Sequence, residues 1–449
     1  MVARKNIIKK VQIGVNTPSL AHGMQLKDGL GDFFKEEILP EMDSYFNSLQ
    51  KNTSKIIRIE NISLVISIKE KDSLKDLKIL IIKELKRTIN KENILSPEWN
   101  DFKTTSPAQN EAEAFLHFLK TGTLPWWFEQ KPNIWKGFFE ETISKSETLK
   151  ALKNLLSKAT IRKRLIYQFD NNQLFKIVNT ILEKTETGHL KYKVSQKFRN
   201  QFWEAVVLYS IRKSAKEVEK IFRNIPSEEV SKLRQISKES FGSDISLSTK
   251  NLQKETVETE VSLKTEKKQK EIDTTTSIEE TETNKDGILV QNAGLILLHP
   301  FLKMFFEKMD FLSEKTIKPE KMDEAIHALH YLATGNEQAY EYELVFEKFL
   351  CNVPLHHPIN RHILLTKEQK MACEILLEAV LGHWTALKSN STAILQNEFL
   401  QREGKLTVSA EKQQLYIQRK TQDILLDKLP WNVHLIKIPW KEKILFVDW

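Results

Sequence analysis

Two apolar periodicities alternate along this chain, and both break off between residues 244 and 286. Lys5 to Val15 (KNIIKKVQIGV) and Ile56 to Ile68 (IIRIENISLVISI) are rich in β-branched apolar residues and predict strands. Between them Leu26, Leu30, Phe33, Phe34, Ile38, Leu39, Met42, Phe46 and Leu49 recur at three to four residues. That spacing predicts a helix over Leu20–Leu49, with Pro40 placed to kink it. The opening therefore reads β-α-β with its two strands paired, and an amphipathic helix follows over Lys75–Asn90. From Asn110 to about Gly242 the helical spacing recurs with short breaks. Asn110–Lys120 is closed by a stop glycine, Gly122. Ile134–Ile143, Ser146–Ser157, Ile161–Phe169, Leu174–Leu182 and Gln196–Lys213 follow. Short helices in series predict an irregular bundle or a solenoid-like array.

Between Lys250 and Asp286 there are six apolar residues in 37 and no aromatic, Gly or Pro. Such a stretch buries too little surface to offset the entropy of ordering it, so 244–286 reads as a charged linker, disordered or a lone solvated helix. Apolar patterning then resumes abruptly in GILVQNAGLILLHPFLKMFF (Gly287–Phe306), a short strand running into a buried helix. Helices over Lys321–Ala333, Glu341–Leu350, Lys367–Lys388 and Ser391–Gln401 follow. LTVSAEKQQLYIQR and NVHLIKIPWKEKILFVDW are strand-like, with helical TQDILLDKL between them. The expected architecture is mainly α (α+β). A β-α-β N-terminal unit covers 1–95, a helical region 96–243 and the linker 244–286. Residues 287–449 form a helical domain that closes with a small sheet.

Gly and Pro are scarce at 13 each, which argues against a turn-rich all-β protein. No run of about 18 uncharged apolar residues occurs, so no membrane span is expected. The N-terminal segment lacks the apolar core of a signal peptide. The only cysteines, Cys351 and Cys373, make no disulfide framework and fit a reducing compartment. The net charge of +8 is uneven: residues 1–243 carry +13, 244–286 carry −4 and 287–449 carry −1. The basic half reads first as a solvated helical surface interleaved with Glu, and second as a docking face for an acidic protein or nucleic acid.

No phosphate-binding glycine loop, H-E-x-x-H, C-x-x-C or G-x-S-x-G occurs. His327 and His330 could share a helix face, but no clear third and fourth zinc ligands stand nearby, so they read as packing histidines. His356 and His357 precede Pro358 in a loop, and the cysteines lack a neighbouring base. No catalytic residue, cofactor or metal is expected. The distinctive chemistry is aromatic: Leu124-Pro125-Trp126-Trp127, then Pro430-Trp431 and Pro439-Trp440. A proline fixes φ just ahead of a large anchor, which pins a loop to its own core or to a partner, where Trp is enriched. These eight residues are the candidate partner contacts. One echo is visible: LHFLKTG (Leu116–Gly122) and LHYLATG (Leu329–Gly335) share L-H-[F/Y]-L-x-T-G, either two similar helix endings or a duplicated module.

Taken with KNIIKKVQIGV, FFKEEILPEMDSYF, IIRIENISLVI and FLHFLKTGTLPWW, the segments VQNAGLILLHPFL, ALHYLATG, ELVFEKFLCNVPL, LEAVLGHWTALKSNS, FLQREGKL and DILLDKLPWNVHLIKIPW carry a family likeness. The chain resembles the contractile injection system tape measure proteins over about half its length. The resemblance implies a non-enzymatic structural component of a phage-tail-like contractile particle, acting in length control or assembly of the inner tube. It implies partners among inner-tube and baseplate or hub proteins, cytoplasmic assembly, and room for several copies per particle. A ruler works by contour length, whereas this chain reads as mostly folded. A 43-residue linker reaches roughly 150 Å extended and about 65 Å as a helix. The alternative function is a basic helical-repeat protein on nucleic acid or an acidic surface. The chain lacks the arginine clusters and basic–aromatic alternation that would favour nucleic acid.

Overall fold

A computed structural model describes residues 6–17, 19–50, 55–68, 73–90, 102–129, 134–135, 146–184, 190, 194–242, 245, 247, 287–388 and 391–449. Of the described residues 58% are helical and 9% are in strands, which makes the chain mainly α (α+β). It divides into two compact units: Met1–Ala114 with Pro125–Ile134, and Phe115–Leu124 with Trp135–Trp449. Apart from Ile245 and Leu247, both buried, the expected linker lies outside the described residues. So does most of the helix expected over Ile134–Ile143.

In the first unit the long helix is continuous from Leu20 to Gln50, but it widens into a π-turn at Phe34–Ile38. Pro40 has no N–H to offer the Glu36 carbonyl, and the wider turn lies just ahead of that gap. The Leu74–Thr88 helix starts on a capping box in which Ser73 and Asp76 satisfy each other's backbone N–H. The strand expected over Lys5–Val15 does not form within residues 6–17. Ile8, Val11, Ile13 and Val15 stay 42–45% exposed, and β-propensity is realised only on a half-buried pleated surface. Strand β1 (Ile56–Ile59) instead pairs antiparallel with β2 (Phe102–Thr105), Ile56 opposite Thr105. FKTT is too short and polar to announce itself as a strand. The apolar cluster of this unit centres on Leu85 and Ile89, against which Met42, Phe46, Ile57 and Ile59 pack.

Beyond Trp135 the second unit has helices at Ser146–Leu155, Ala159–Gln168 and Asn171–Ile181. Arg199–Arg212, Ala215–Phe222 and Ser227–Phe241 follow. Asp170 and Gln173 form a capping box at one start, and Ser214 caps another. After residue 287, β3 (Ile288–Val290) leads into a 3-10 stretch, Ala293–Leu298, in which every residue is buried. Pro300 then sits in the first turn of the His299–Lys308 helix, where its missing N–H costs nothing. Gly294 lies so close to the Phe399 carbonyl that a Cβ would collide with it. The apolar run is therefore the centre of a core rather than a membrane segment. Among the described residues no helix is long and apolar enough to cross a membrane.

A two-strand hairpin, β4 (Leu312–Ser313) with β5 (Thr316–Ile317), precedes the Met322–Thr334 helix. The closing strands are β6 (Gly404–Val408), β7 (Gln413–Ile417), β8 (Leu435–Ile436) and β9 (Leu445–Asp448). They build one five-stranded sheet in the order β3-β6-β7-β9-β8. Only the β7–β9 pairing is parallel. Leu406, Leu415, Ile417, Leu445 and Val447 point into the core, following the two-residue pleat. The sheet expected at the end of the chain thus includes a strand from just after residue 287.

Candidate functional site

The Pro-Trp loops divide between the units. In the first unit Pro125 is buried while Trp126 and Trp127 are half-buried. The Arg58 guanidinium lies 3.3 Å from the Trp127 ring centre. Arg58 is itself immobilised: Nε donates to Asn110 Oδ1 at 3.0 Å, and Nη1 meets Glu113 Oε2 at 2.5 Å. Burial works against the Glu113 carboxylate, yet Lys103 and Arg58 hold its pKa below the usual range. The result is a Trp ring stacked on a fixed cation with part of its surface open to solvent.

In the second unit Leu124 is half-buried, and Pro430 and Pro439 are exposed. Trp431 is half-buried; its Nε1 donates to Leu297 O at 3.1 Å, and its ring meets Phe301 edge-on at 5.3 Å. Trp440 is 7% exposed, stacks on Phe306 at 5.1 Å, and donates to Leu350 O at 2.7 Å. Its indole is taken up by its own core. The candidates that reach solvent are therefore Leu124, Trp126, Trp127, Trp431 and the two exposed prolines.

The densest polar chemistry lies elsewhere in this unit, on residues the periodicities do not single out. Arg164 is 1% exposed on the Ala159–Gln168 helix. Its Nε donates to Glu341 Oε2 at 2.9 Å and its Nη1 to Leu119 O at 2.7 Å; Nη2 reaches His356 O. Lys348, 1% exposed on the Val345–Leu350 helix, donates to Glu341 Oε1 at 2.8 Å. It also donates to Leu355 O at 2.5 Å and His357 O at 2.7 Å. Burial pulls the Lys348 pKa down, and Glu341 opposes that. Two cations thus share one carboxylate that is 0% exposed, with backbone carbonyls completing their shells. Gly122 seals the node: its φ is +82°, and a Cβ there would meet the Glu341 carboxylate.

The signal that could have found this node is positional. Arg164 sits three residues after Ile161 and next to Leu165, both buried, on the apolar face of its helix. Glu341 and Lys348 flank buried Leu344 and Val345 in the same way. Charges on an apolar face imply buried partners, but neighbours 177 residues apart in sequence cannot name each other.

The two repeated endings are the same local structure. Thr121 and Thr334 each donate from Oγ1 to the carbonyl four residues back at 2.9 Å. Gly122 N donates to Phe118 O at 2.7 Å and Gly335 N to Tyr331 O at 2.8 Å, both glycines at positive φ. His327 faces Glu337 O at 3.0 Å through Nδ1 and Asn360 O at 2.9 Å through Nε2. His330 faces Asn292 and Glu347 at 3.4 Å each. Among the described residues no group of His, Cys, Asp and Glu is arranged to hold a metal. Burial pushes the Cys373 thiol up to about 12 and that of Cys351 up as well, so neither is held as the thiolate that nucleophilic chemistry needs.

Compared with known proteins, residues 5–449 match a family model described as contractile injection system tape measure protein. No curated protein and no solved structure matches the chain.

Proposed function

Because the chain belongs to the contractile injection system tape measure protein family, a structural family of the contractile particle, we propose that it governs assembly and length of the inner tube. The observation that carries this reading is the extent of the match, which runs through both compact units and across 244–286. In this role the chain works by binding other proteins of the particle, those of the inner tube and of the baseplate or hub, during assembly in the cytoplasm. The half-buried Trp127, held against the fixed Arg58 guanidinium, and the neighbouring half-buried Trp126 are suited to one such contact, and Trp431 beside exposed Pro430 to another.

The test is removal of the chain from its native producer, with particles imaged by electron microscopy. Loss of particles, or tubes of scattered length, is expected. Full yields of particles with uniform tubes of normal length would overturn the proposal. In the same producer, Trp127→Ala is expected to reduce co-purification of tube or baseplate proteins with the chain while its thermal melt is retained.

A further inference from the structure

Residues 115–124 and 135–247, ahead of the segment 248–286, share one compact unit with residues 287–449, and the contacts joining them are of the kind that forms a permanent interface. The Arg164–Glu341 pair is one contact. Gln168 supplies two more: its Nε2 donates to Ile359 O at 2.7 Å, and its Oε1 accepts from Glu341 N at 2.8 Å. Gln168 is 0% exposed. Arg361 N donates to Tyr167 O at 3.3 Å, and its Nη1 to Gln168 O at 3.0 Å. Aromatic contacts join the same parts, with Phe118 edge-on to Tyr342 at 5.5 Å and Phe169 against Tyr340 at 6.3 Å.

We infer that residues 115–124, 135–242 and 287–449 are a single body clasped at Arg164, Gln168, Glu341 and Lys348, which holds both ends of the segment between. The partner that the Glu341 face fits is this chain's own helical array. Parting the two would be costly. Separation would leave a carboxylate and two cations to be rehydrated and repaired individually, and their donors are aimed at carbonyls that exist only in the joined form. Both ends of the intervening segment are anchored: Ile245 and Leu247 are buried on one side, and Val290 is paired into the sheet on the other. A segment with both ends in one body does not set the distance between two anchors. In a ruler it would contribute no graduation.

This inference rests on packing alone, and its test uses the purified chain, so it stands or falls separately from the role in tube assembly. A sequence-specific protease site is inserted after Lys267 and the full chain is cut there. The two pieces are expected to co-elute in gel filtration as one species at micromolar concentration in moderate salt, and to part only in denaturant. Glu341→Gln, with its fold before cutting verified by circular dichroism, is expected to weaken the association of the cut pieces by 100-fold or more. Lys303→Gln, a change at an exposed i,i+4 pair on a surface helix, is expected to leave it unchanged. Pieces of the native sequence that separate on cutting would overturn the inference. So would a Glu341→Gln chain whose pieces stay associated with unchanged affinity.

Discussion

The two compact units solve the same problem with different means. The first gathers its apolar side chains around Leu85 and Ile89. Its polar bonds lie largely at the surface, as in Lys78 with Glu37 at 2.9 Å. The second fills a core from Val290 to Trp449 and buries complete ion clusters inside it: Arg164–Glu341–Lys348, and Arg402–Asp423 with Trp449 donating to the carboxylate. Exposed ion pairs contribute little, whereas a buried cluster is a commitment, because removing one member strands the others. The contrast teaches where each unit is vulnerable. The first should yield to loss of apolar contact, the second to loss of a charge.

The largest expected effect follows from that. In Glu341→Gln two buried cations lose their common counter-charge, at a cost of about 3–5 kcal/mol. The main thermal transition of the full chain should fall by about 6–20 °C. An unchanged melt would break the comparison. Leu85→Ala should cost the first unit about 2–5 kcal/mol through the cavity it leaves. The check is hydrogen exchange: faster exchange over Leu74–Thr88, with Ala159–Gln168 unaffected.

The twin helix endings sharpen the contrast further. Gly335→Ala meets nothing within 4 Å and should cost about 1–2 kcal/mol for its left-handed backbone alone. Gly122→Ala carries the same backbone cost and also drives a methyl group into Glu341, adding about 1–3 kcal/mol. Equal denaturant midpoints for the two variants would mean that the node does not constrain residue 122.

Acid should act on the second unit through its histidines. Burial holds His327, His357 and His362 at about 4, with Arg361, Lys163, Lys348 and Arg199 among the neighbouring cations. Their folded pKa lies below the unfolded value of about 6.5. Stability is therefore full above pH 6.5 and declines as the pH falls towards 4, by at most about 1.4 kcal/mol per pH unit for each group. Buried His327 carries most of this; His357 and His362 are more open and count for less. Asp323, held up at about 6 by burial, opposes the trend, since its folded form takes up a proton first. Melting temperatures measured from pH 7 to 4.5 should fall, and His327→Gln should flatten that profile. The smallest expected effect is none at all. Doubling residues 248–286 adds 39 residues, a contour of roughly 140 Å if it were a scale, yet tube lengths in electron micrographs should not change. Tubes that lengthen with the insert would place the graduation there after all.

Much was determined by the sequence alone. The helical spacing of Leu20–Leu49, the stop glycines Gly122 and Gly335, the apolar run Ala293–Leu298 and the strand pleats near the end of the chain all follow from local rules. Periodicity, capping and backbone freedom act over a few residues, and a single chain displays them. The family likeness was legible for the same reason, since it is carried by short contiguous motifs. Only the tertiary structure decided the rest: that β1 pairs with Phe102–Thr105, that Ile288–Val290 joins a sheet built more than 100 residues later, that Trp440 is enclosed while Trp127 keeps an open face, and that Arg164 meets Glu341. Each of these is a choice among partners distant in sequence. Local propensity states that a residue needs a partner; the packed core selects which one, because a buried charge or an unpaired strand edge is tolerable only where its complement is already fixed.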